Sequence, residues 1–165
     1  MDKQSLLEKL KQHTARVTVI GLGYVGLPLL VEVARAGFHV TGYDISEERA
    51  ASVNQGKSYI KDVPDQALAD LRALGRIDAT ADPDCLARAD VVIICVPTPL
   101  NKSRSPDNSY IVTAAEALLP RLHPGMLVVL ESTTFPGFTR EVLLPRLSES
   151  GLKVGRDFYL AFSPE

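Results

Sequence analysis

A run of ten residues, 17–26, constrains the fold of this chain more than any other stretch. It begins with four apolar or β-branched residues (Val-Thr-Val-Ile) of the kind that forms a strand buried on both faces. Three glycines follow at once with the spacing G-x-G-x-x-G, at Gly21, Gly23 and Gly26, and residues 27–36 then have a helical pattern. A strand, a glycine-rich turn and a helix in this order are typical of a unit that binds a dinucleotide.

The three glycines are expected to serve different purposes in such a unit. Gly21 allows the tight turn out of the strand, Gly23 lets the backbone come close to a diphosphate, and Gly26 lets the helix pack closely on the sheet. A diphosphate bound here lies at the helix N-terminus, where unpaired N–H groups and the helix dipole favour an anion. The alternative is that the glycines only build a tight turn between strand and helix.

A carboxylate, Asp44, ends the second predicted strand, residues 39–44. In this fold an acidic residue at that place accepts hydrogen bonds from the adenosine ribose and repels a 2′-phosphate, which favours NAD over NADP. The alternative is a local role, in which Asp44 caps the helix that follows. Arg49 lies about one helical turn further on and is close enough to reach the adenosine end of a cofactor. An arginine on the surface of that helix explains the spacing equally well.

Strand-like and helical segments alternate along the whole chain, which predicts a parallel sheet with helices on both faces, joined by right-handed crossovers. We expect an α/β fold: a Rossmann-type, doubly wound, six-stranded sheet in the order 3-2-1-4-5-6, forming a single domain over residues 16–165. A short leucine stripe predicts a helical extension over residues 1–15. The predicted strands are 16–20, 39–44, 77–80, 91–96, 126–130 and 158–162. The predicted helices are 27–36, one beginning after residue 46, 65–74, 109–122 and 139–150, with a helical turn over 83–88.

Ligands of open α/β sheets bind beyond the carboxyl ends of the strands, and polar residues follow two of the predicted strands. The fourth strand ends at Pro97-Thr98-Pro99, since a proline cannot donate to a sheet ladder. Thr98 is therefore either a hydroxyl on the cofactor side or a simple turn residue. Residues 131–134 (Glu-Ser-Thr-Thr) lie at the mouth of the same crevice. The loop 101–107 carries two positive charges, at Lys102 and Arg104. These side chains face either an anionic ligand or water, and their loop setting slightly favours water.

Composition argues against several other classes of protein. The chain has 165 residues, too few for two domains of ordinary size. A net charge of −2, with the two signs interspersed, lacks the concentrated basic face that nucleic-acid binding needs. The apolar runs are strand-sized, so we expect no membrane span. No group of His, Cys and Asp has metal-ligand spacing, so we expect no metal.

The two cysteines, Cys85 and Cys95, do not make a disulfide framework and fit a reducing, cytoplasmic location. Cys95 lies within an apolar strand, where a thiol usually acts as a small buried hydrophobe rather than a reactive group. Nothing in the residues around Cys85 marks it as activated.

Five motifs, in the same order along the chain, resemble the UDP-glucose/UDP-mannuronate dehydrogenase family. They are G-L-G-Y-V-G-L-P (21–28), G-Y-D (42–44), C-V-P-T-P-L (95–100), E-S-T-T-F-P-G (131–137) and F-S-P-E (162–165). The resemblance covers nearly everything from Arg16 to the last residue. The fourth and fifth motifs are most similar to the branch that acts on UDP-N-acetylhexosamines.

The resemblance implies the NAD-binding domain of a nucleotide-sugar 6-dehydrogenase. Such enzymes oxidise C6 of a UDP-sugar to the uronate with two NAD per turnover, through a cysteine thioester. By motif match, Asp44 and Arg49 hold the adenosine ribose, Thr98 and Thr133 line the nicotinamide side, and Glu165 assists acid–base chemistry. The implied cofactor-binding set is Gly21, Leu22, Gly23, Tyr24, Val25, Gly26, Asp44, Arg49, Pro97, Thr98, Ser132 and Thr133, with the diphosphate on Tyr24 and Val25.

The resemblance also implies what a chain of this length lacks. Family members are more than twice as long, and neither Cys85 nor Cys95 matches their nucleophilic cysteine. We therefore expect an excised N-terminal domain that folds and binds NAD weakly but does not turn over alone, and a homodimer or higher oligomer for the full-length protein. Three alternatives stay open. They are the cofactor domain of another β-hydroxyacid-type dehydrogenase, a stand-alone NAD-sensing module and, less well matched by the glycine pattern, an S-adenosylmethionine methyltransferase.

Overall fold

A parallel sheet forms the centre of the molecule in the computed structural model, which describes residues 3–99 and 106–163. Within these residues, six strands pair in the order β3-β2-β1-β4-β5-β6. The predicted Rossmann-type sheet and its strand order are therefore confirmed. The strands are β1 (Arg16–Ile20), β2 (His39–Tyr43), β3 (Ile77–Thr80), β4 (Val91–Ile94), β5 (Leu127–Leu130) and β6 (Tyr159–Phe162).

Helices connect the strands on both faces of the sheet. They are α1 (Lys3–Lys11), α2 (Gly26–Arg35), α3 (Glu47–Asn54), α4 (Asp65–Ala73), α5 (Ser109–Leu118) and α6 (Leu144–Ser148). Two 3₁₀ turns (Pro83–Arg88 and Leu119–Arg121) and a π-helical turn (Thr139–Leu143) complete the connections. Among the helices in the described part of the chain, none is long and apolar enough to cross a lipid bilayer.

Several predicted boundaries were wrong by one residue, and three predicted elements differ by more than that, each for a local reason. Helix α5 ends at Leu118 rather than residue 122, because Pro120 has no N–H to donate to the carbonyl four residues earlier. The predicted helix 139–150 begins with a π-helical turn just before Pro145, which perturbs the helical hydrogen bonds in the same way. Strand β4 ends at Ile94 rather than residue 96, in register with the ends of its two neighbours, Ile20 and Leu130.

Both faces of the sheet are buried, as its apolar strands require. Successive side chains of a strand point to opposite faces. In β1, Val19 joins the buried cluster under α2 and α4, whereas Ile20 joins the cluster under α5 and α6. The four residues of β4 alternate between the same two clusters, which explains why every one of them is apolar. The carboxyl ends of β1, β2 and β4 therefore meet at one edge of a rigid, doubly covered sheet.

The predicted N-terminal helix exists as α1 and is attached to the same core. Leu6 is 5% exposed and belongs to the cluster beneath α2. Lys9 Nζ lies 2.6 Å from Oδ1 of Asp90, a buried carboxylate whose Oδ2 accepts the N–H of Arg16 at 2.9 Å. A separate status for residues 1–15 stays a prediction, but these contacts bind α1 to the start of the sheet.

Two leucines of α1 test this attachment. We expect Leu6→Ala to lower the free energy of unfolding by about 2–3 kcal/mol, because it removes a buried side chain and leaves a cavity. Leu7→Ala is the matched control, with an expected change within about 0.5 kcal/mol, because Leu7 is 39% exposed. Urea unfolding measures both values. Equal effects of the two substitutions would show that α1 does not share the core.

Candidate functional site

Two glycines of the turn between β1 and α2 are required by close backbone packing. Gly21 has φ +90°, and its N–H donates to the carbonyl oxygen of Tyr43 at 2.8 Å. A Cβ on Gly21 would lie 2.8 Å from the carbonyl oxygen of Cys95 at the end of β4. A Cβ on Gly26, the first residue of α2, would collide with the carbonyl oxygen of Gly21. The turn is therefore pressed between the ends of β2 and β4.

Gly23 differs, because a Cβ built there meets no atom within 4 Å. Packing does not explain this glycine, and it lines the cavity described below. The next element, α2, begins three residues later, after Val25, which makes no side-chain capping hydrogen bond. Of the first N–H groups of α2, those of Leu27 and Leu29 donate to the carbonyl oxygens of Gly23 and Val25, each at 3.1 Å, and Pro28 has none. The bare backbone at Gly23 and the positive end of the α2 dipole are thus the features that favour a bound diphosphate here.

Asp44 holds this turn from the end of β2. Its side chain is 6% exposed, and Oδ2 accepts the N–H of Leu22 at 2.8 Å. Oδ1 accepts the N–H of Ser46 at 2.9 Å, and Nη1 of Arg49 lies 3.4 Å from Oδ2. A carboxylate has about four accepting positions, so one position, on Oδ1, is left for a further donor. The helix cap proper is Ser46, whose Oγ accepts the N–H of Arg49 at 3.3 Å.

A tyrosine that the sequence did not reveal completes this arrangement. The hydroxyl of Tyr59 donates to the carbonyl oxygen of Leu22 at 2.8 Å. The guanidinium carbon of Arg49 lies 5.8 Å from the centre of its ring. Burial, with a smaller contribution from the charge of Asp44, raises the pKa of Tyr59 to about 12. The phenol therefore stays protonated near neutral pH and can act as a donor.

A cavity opens beyond the carboxyl ends of β1, β2 and β4 and beside helix α5. It brings together five of the predicted residues, Gly21, Gly23, Asp44, Arg49 and Pro97. Most of its remaining wall is apolar or small and was not predicted: Ile20, Tyr43, Ile45, Val96, Tyr110, Thr113, Ala114 and Ala117. Tyr110, Thr113, Ala114 and Ala117 are spaced so that they lie on one face of α5. The sequence alone does not say which face of α5 borders the crevice.

The other predicted residues lie around this cavity rather than in its wall. The side chain of Leu22 is fully buried, and Tyr24 is 82% exposed. Val25 precedes α2 and is half-buried. Thr98 is half-buried and Thr133 exposed, on the side toward β5.

Ser132, also predicted, is buried, with its hydroxyl within hydrogen-bond distance of the Val96 carbonyl oxygen, 2.8 Å, and that of Ile94, 3.3 Å. These contacts join the ends of β4 and β5, so the hydroxyl has a structural use. Glu165 and the two positive charges of the predicted loop, Lys102 and Arg104, lie outside the described residues.

Both cysteines of the chain lie in the described ranges, 3–99 and 106–163. Cys85 and Cys95 are both buried and reduced. Burial, with smaller contributions from the charges of Asp78 and Asp82, raises the pKa of Cys85 to about 11, so its thiol is protonated near neutral pH. Within the same ranges, no group of three or more His, Cys, Asp or Glu side chains is arranged to hold a metal ion.

The family described as "UDP-glucose/GDP-mannose dehydrogenase family, NAD binding domain" matches residues 15–165. The chain belongs to this family. The matched residues include all six strands and every residue of the cavity wall. Because the family is that of an NAD-binding domain, the NAD cofactor predicted from the glycine spacing is confirmed for the family. The fold and family implied by the five sequence motifs are likewise confirmed.

Several relatives of the chain are named as nucleotide-sugar dehydrogenases. It is 38% identical over 151 residues to a UDP-N-acetyl-D-mannosamine dehydrogenase of Pyrococcus horikoshii, covering 91% of this chain and 36% of the relative. It is also 38% identical to a UDP-N-acetyl-D-glucosamine 6-dehydrogenase of Pseudomonas aeruginosa, covering 91% and 35%. A crystal structure of a ternary complex of GDP-mannose dehydrogenase from Pseudomonas aeruginosa superposes with a TM-score of 0.85 at 34% identity, covering 91% and 36%. The chain thus spans little more than a third of the length of these proteins.

Two neighbouring glycines test the packing of the turn. We expect Gly26→Ala to lower the free energy of unfolding by at least about 1–3 kcal/mol, because the new methyl group collides with backbone. Gly23→Ala is the matched control, with an expected change within about 0.5 kcal/mol, because its methyl group enters open space. Chemical unfolding compares them. A Gly26→Ala protein as stable as the Gly23→Ala protein would contradict the described packing.

Proposed function

We propose that the crevice beside the glycine turn binds NAD, with the diphosphate on the bare backbone at Gly23 and at the N-terminus of α2. The observation that carries this proposal is the open space at Gly23, next to the uncapped start of a helix. Anions are favoured there by the helix dipole. Leu22, Tyr24, Val25 and Gly26 complete the backbone of this diphosphate site.

The adenosine ribose is proposed to bind at Asp44. The remaining accepting position on Oδ1 takes one ribose hydroxyl, and Arg49, held 3.4 Å from Oδ2, borders the same side. A 2′-phosphate at this place would be repelled by the carboxylate, which favours NAD over NADP. The adenine ring fits the apolar slot between Ile45, Pro97 and the small residues of α5, where a flat base can be excluded from water.

The nicotinamide end is proposed to extend past Pro97 toward Thr98, Ser132 and Thr133, at the ends of β4 and β5. NAD, when bound, accepts a hydride at this end. Of these three residues, Thr98 and Thr133 offer their hydroxyls to the carboxamide of the nicotinamide ring. Ser132 instead acts by fixing the backbone at Val96, because its hydroxyl lies 2.8 Å from that carbonyl oxygen.

We further propose that this domain serves a nucleotide-sugar 6-dehydrogenase that oxidises C6 of a UDP-sugar, with a UDP-N-acetylhexosamine as substrate. The names of two relatives at 38% identity support this substrate class. Glu165 is proposed to assist the acid–base chemistry, and a homo-oligomer and a cytoplasmic location are proposed for the whole protein. The family match gives no support to another β-hydroxyacid-type dehydrogenase, a stand-alone NAD sensor or a methyltransferase.

Cofactor preference tests the role of Asp44. We expect calorimetry to show tighter binding of NAD than of NADP to the unaltered chain. Asp44→Ala should cost NAD about 1.5–3 kcal/mol, which is tenfold or more in Kd, through the loss of charge-assisted hydrogen bonds. The preference over NADP should shrink, because the repulsion of the 2′-phosphate is removed. Asp70→Ala, on the exposed surface of α4, is the control and should leave both affinities unchanged. Unchanged NAD affinity in Asp44→Ala would remove Asp44 from the site.

Side chains of increasing size at position 23 test the diphosphate site. Gly23→Ala should weaken NAD binding and Gly23→Val should abolish it, because the side chain takes the space proposed for the diphosphate. Neither should alter folding greatly, since no atom lies within 4 Å of the added Cβ. Titration with NAD and circular dichroism check the two statements. Full NAD affinity in folded Gly23→Val would exclude this position of the diphosphate.

A further inference from the structure

We propose that Tyr59 is a positioning residue of the NAD site, which holds the glycine turn in the shape that receives the diphosphate and holds Arg49 against Asp44. Tyr59 lies in the loop between α3 and α4, far along the chain from the G-x-G-x-x-G motif. The role depends on the proposed function, because Tyr59 acts on the backbone where the diphosphate is proposed to bind.

Both backbone polar groups of Leu22, its N–H and its carbonyl oxygen, are hydrogen-bonded to side chains. Its N–H donates to Oδ2 of Asp44 at 2.8 Å, and its carbonyl oxygen accepts the hydroxyl of Tyr59 at 2.8 Å. Its side chain is fully buried. Leu22 stands between Gly21 and Gly23, the two turn residues with the greatest backbone freedom. Fixing the peptide groups between them reduces the conformational entropy that a ligand would otherwise have to remove.

The loop that carries Tyr59 is itself well anchored. The next residue, Ile60, is 6% exposed and belongs to the buried cluster under α2, as does Val63. On the other side, the N–H of Ser58 donates to Oδ1 of Asp65, the first residue of α4, at 2.8 Å. Tyr59 is thus placed by the core and by α4, so that its hydroxyl can act as a fixed support for the turn.

The ring and the hydroxyl of Tyr59 have separate contacts. The hydroxyl contacts the turn at Leu22, whereas the ring face lies 5.8 Å from the guanidinium carbon of Arg49. A guanidinium over an aromatic face is attracted by the ring. Here that attraction holds Arg49 beside the Asp44 carboxylate. Removal of the hydroxyl alone should therefore affect the diphosphate site, and removal of the whole ring should affect the ribose site as well.

Three ligands separate these two contacts: adenosine, ADP and NAD. For Tyr59→Phe we expect the Kd of ADP and of NAD to rise about threefold to tenfold, the effect of one neutral hydrogen bond, and the Kd of adenosine to stay the same. For Tyr59→Leu we expect the Kd of adenosine to rise too, because Arg49 loses the ring. Tyr159→Phe, on β6 at the opposite edge of the sheet from β3, is the matched control and should bind all three like the unaltered chain.

The outcomes distinguish the two proposals. If Tyr59→Phe binds ADP and NAD with unchanged Kd, or if it weakens adenosine binding as much as ADP binding, the role of Tyr59 is overturned. NAD binding by the unaltered chain then still supports the proposed function. No binding of NAD to the unaltered chain overturns both. Urea unfolding of Tyr59→Phe, with a cooperative transition expected at a somewhat lower midpoint than in Tyr159→Phe because one hydrogen bond is lost, shows that the variant is folded in the titrations.

Discussion

The hydrogen bond from the N–H of Leu22 to the buried carboxylate of Asp44, 2.8 Å long, is the interaction on which the site depends. It joins the turn after β1 to the residue that follows β2, and so fixes a place where bare backbone, the start of α2 and a carboxylate come together. A buried carboxylate is costly unless donors surround it. Here the N–H groups of Leu22 and Ser46 and the guanidinium of Arg49 supply them. The same group that is proposed to recognise the ribose therefore also shapes the diphosphate site.

Close packing beneath the turn makes that hydrogen bond possible. A Cβ on Gly42, in β2, would lie 2.8 Å from both terminal carbons of Leu22 and 2.9 Å from Leu30 of α2. Gly42 thus leaves the space that the Leu22 side chain fills. Gly26, where an added Cβ would collide with backbone, likewise lets α2 pack directly on the turn. Overpacking at either position would displace the backbone around the carboxylate. Gly42 lies outside the G-x-G-x-x-G motif, yet the turn needs it for close packing, as it needs Gly21 and Gly26.

Much of the fold followed from local patterns. Short apolar runs separated by helical segments predicted all six strands and their order, because buried parallel strands and right-handed crossovers leave few arrangements. Prediction failed at Pro120 and Pro145, where the apolar helical spacing continues past a proline although its missing N–H interrupts the helical hydrogen bonds. Of the site, Gly21, Gly23, Asp44, Arg49 and Pro97 were predicted and line one cavity. Tyr59 and the α5 wall were not, because no spacing rule connects them to the glycine motif.

Residue types at short, fixed spacings were enough to predict the strand–turn–helix unit, the acidic residue at the end of the second strand and the membership in a nucleotide-sugar dehydrogenase family. The contacts of the folded chain were needed to find that Ser132 supports the end of β4, that Asp44 keeps one accepting position, and that Tyr59 supports the glycine turn. These contacts join residues 36 to 37 positions apart, or depend on how many donors surround one carboxylate. Such facts are set by the packing of the whole sheet and its helices, and no local pattern contains them.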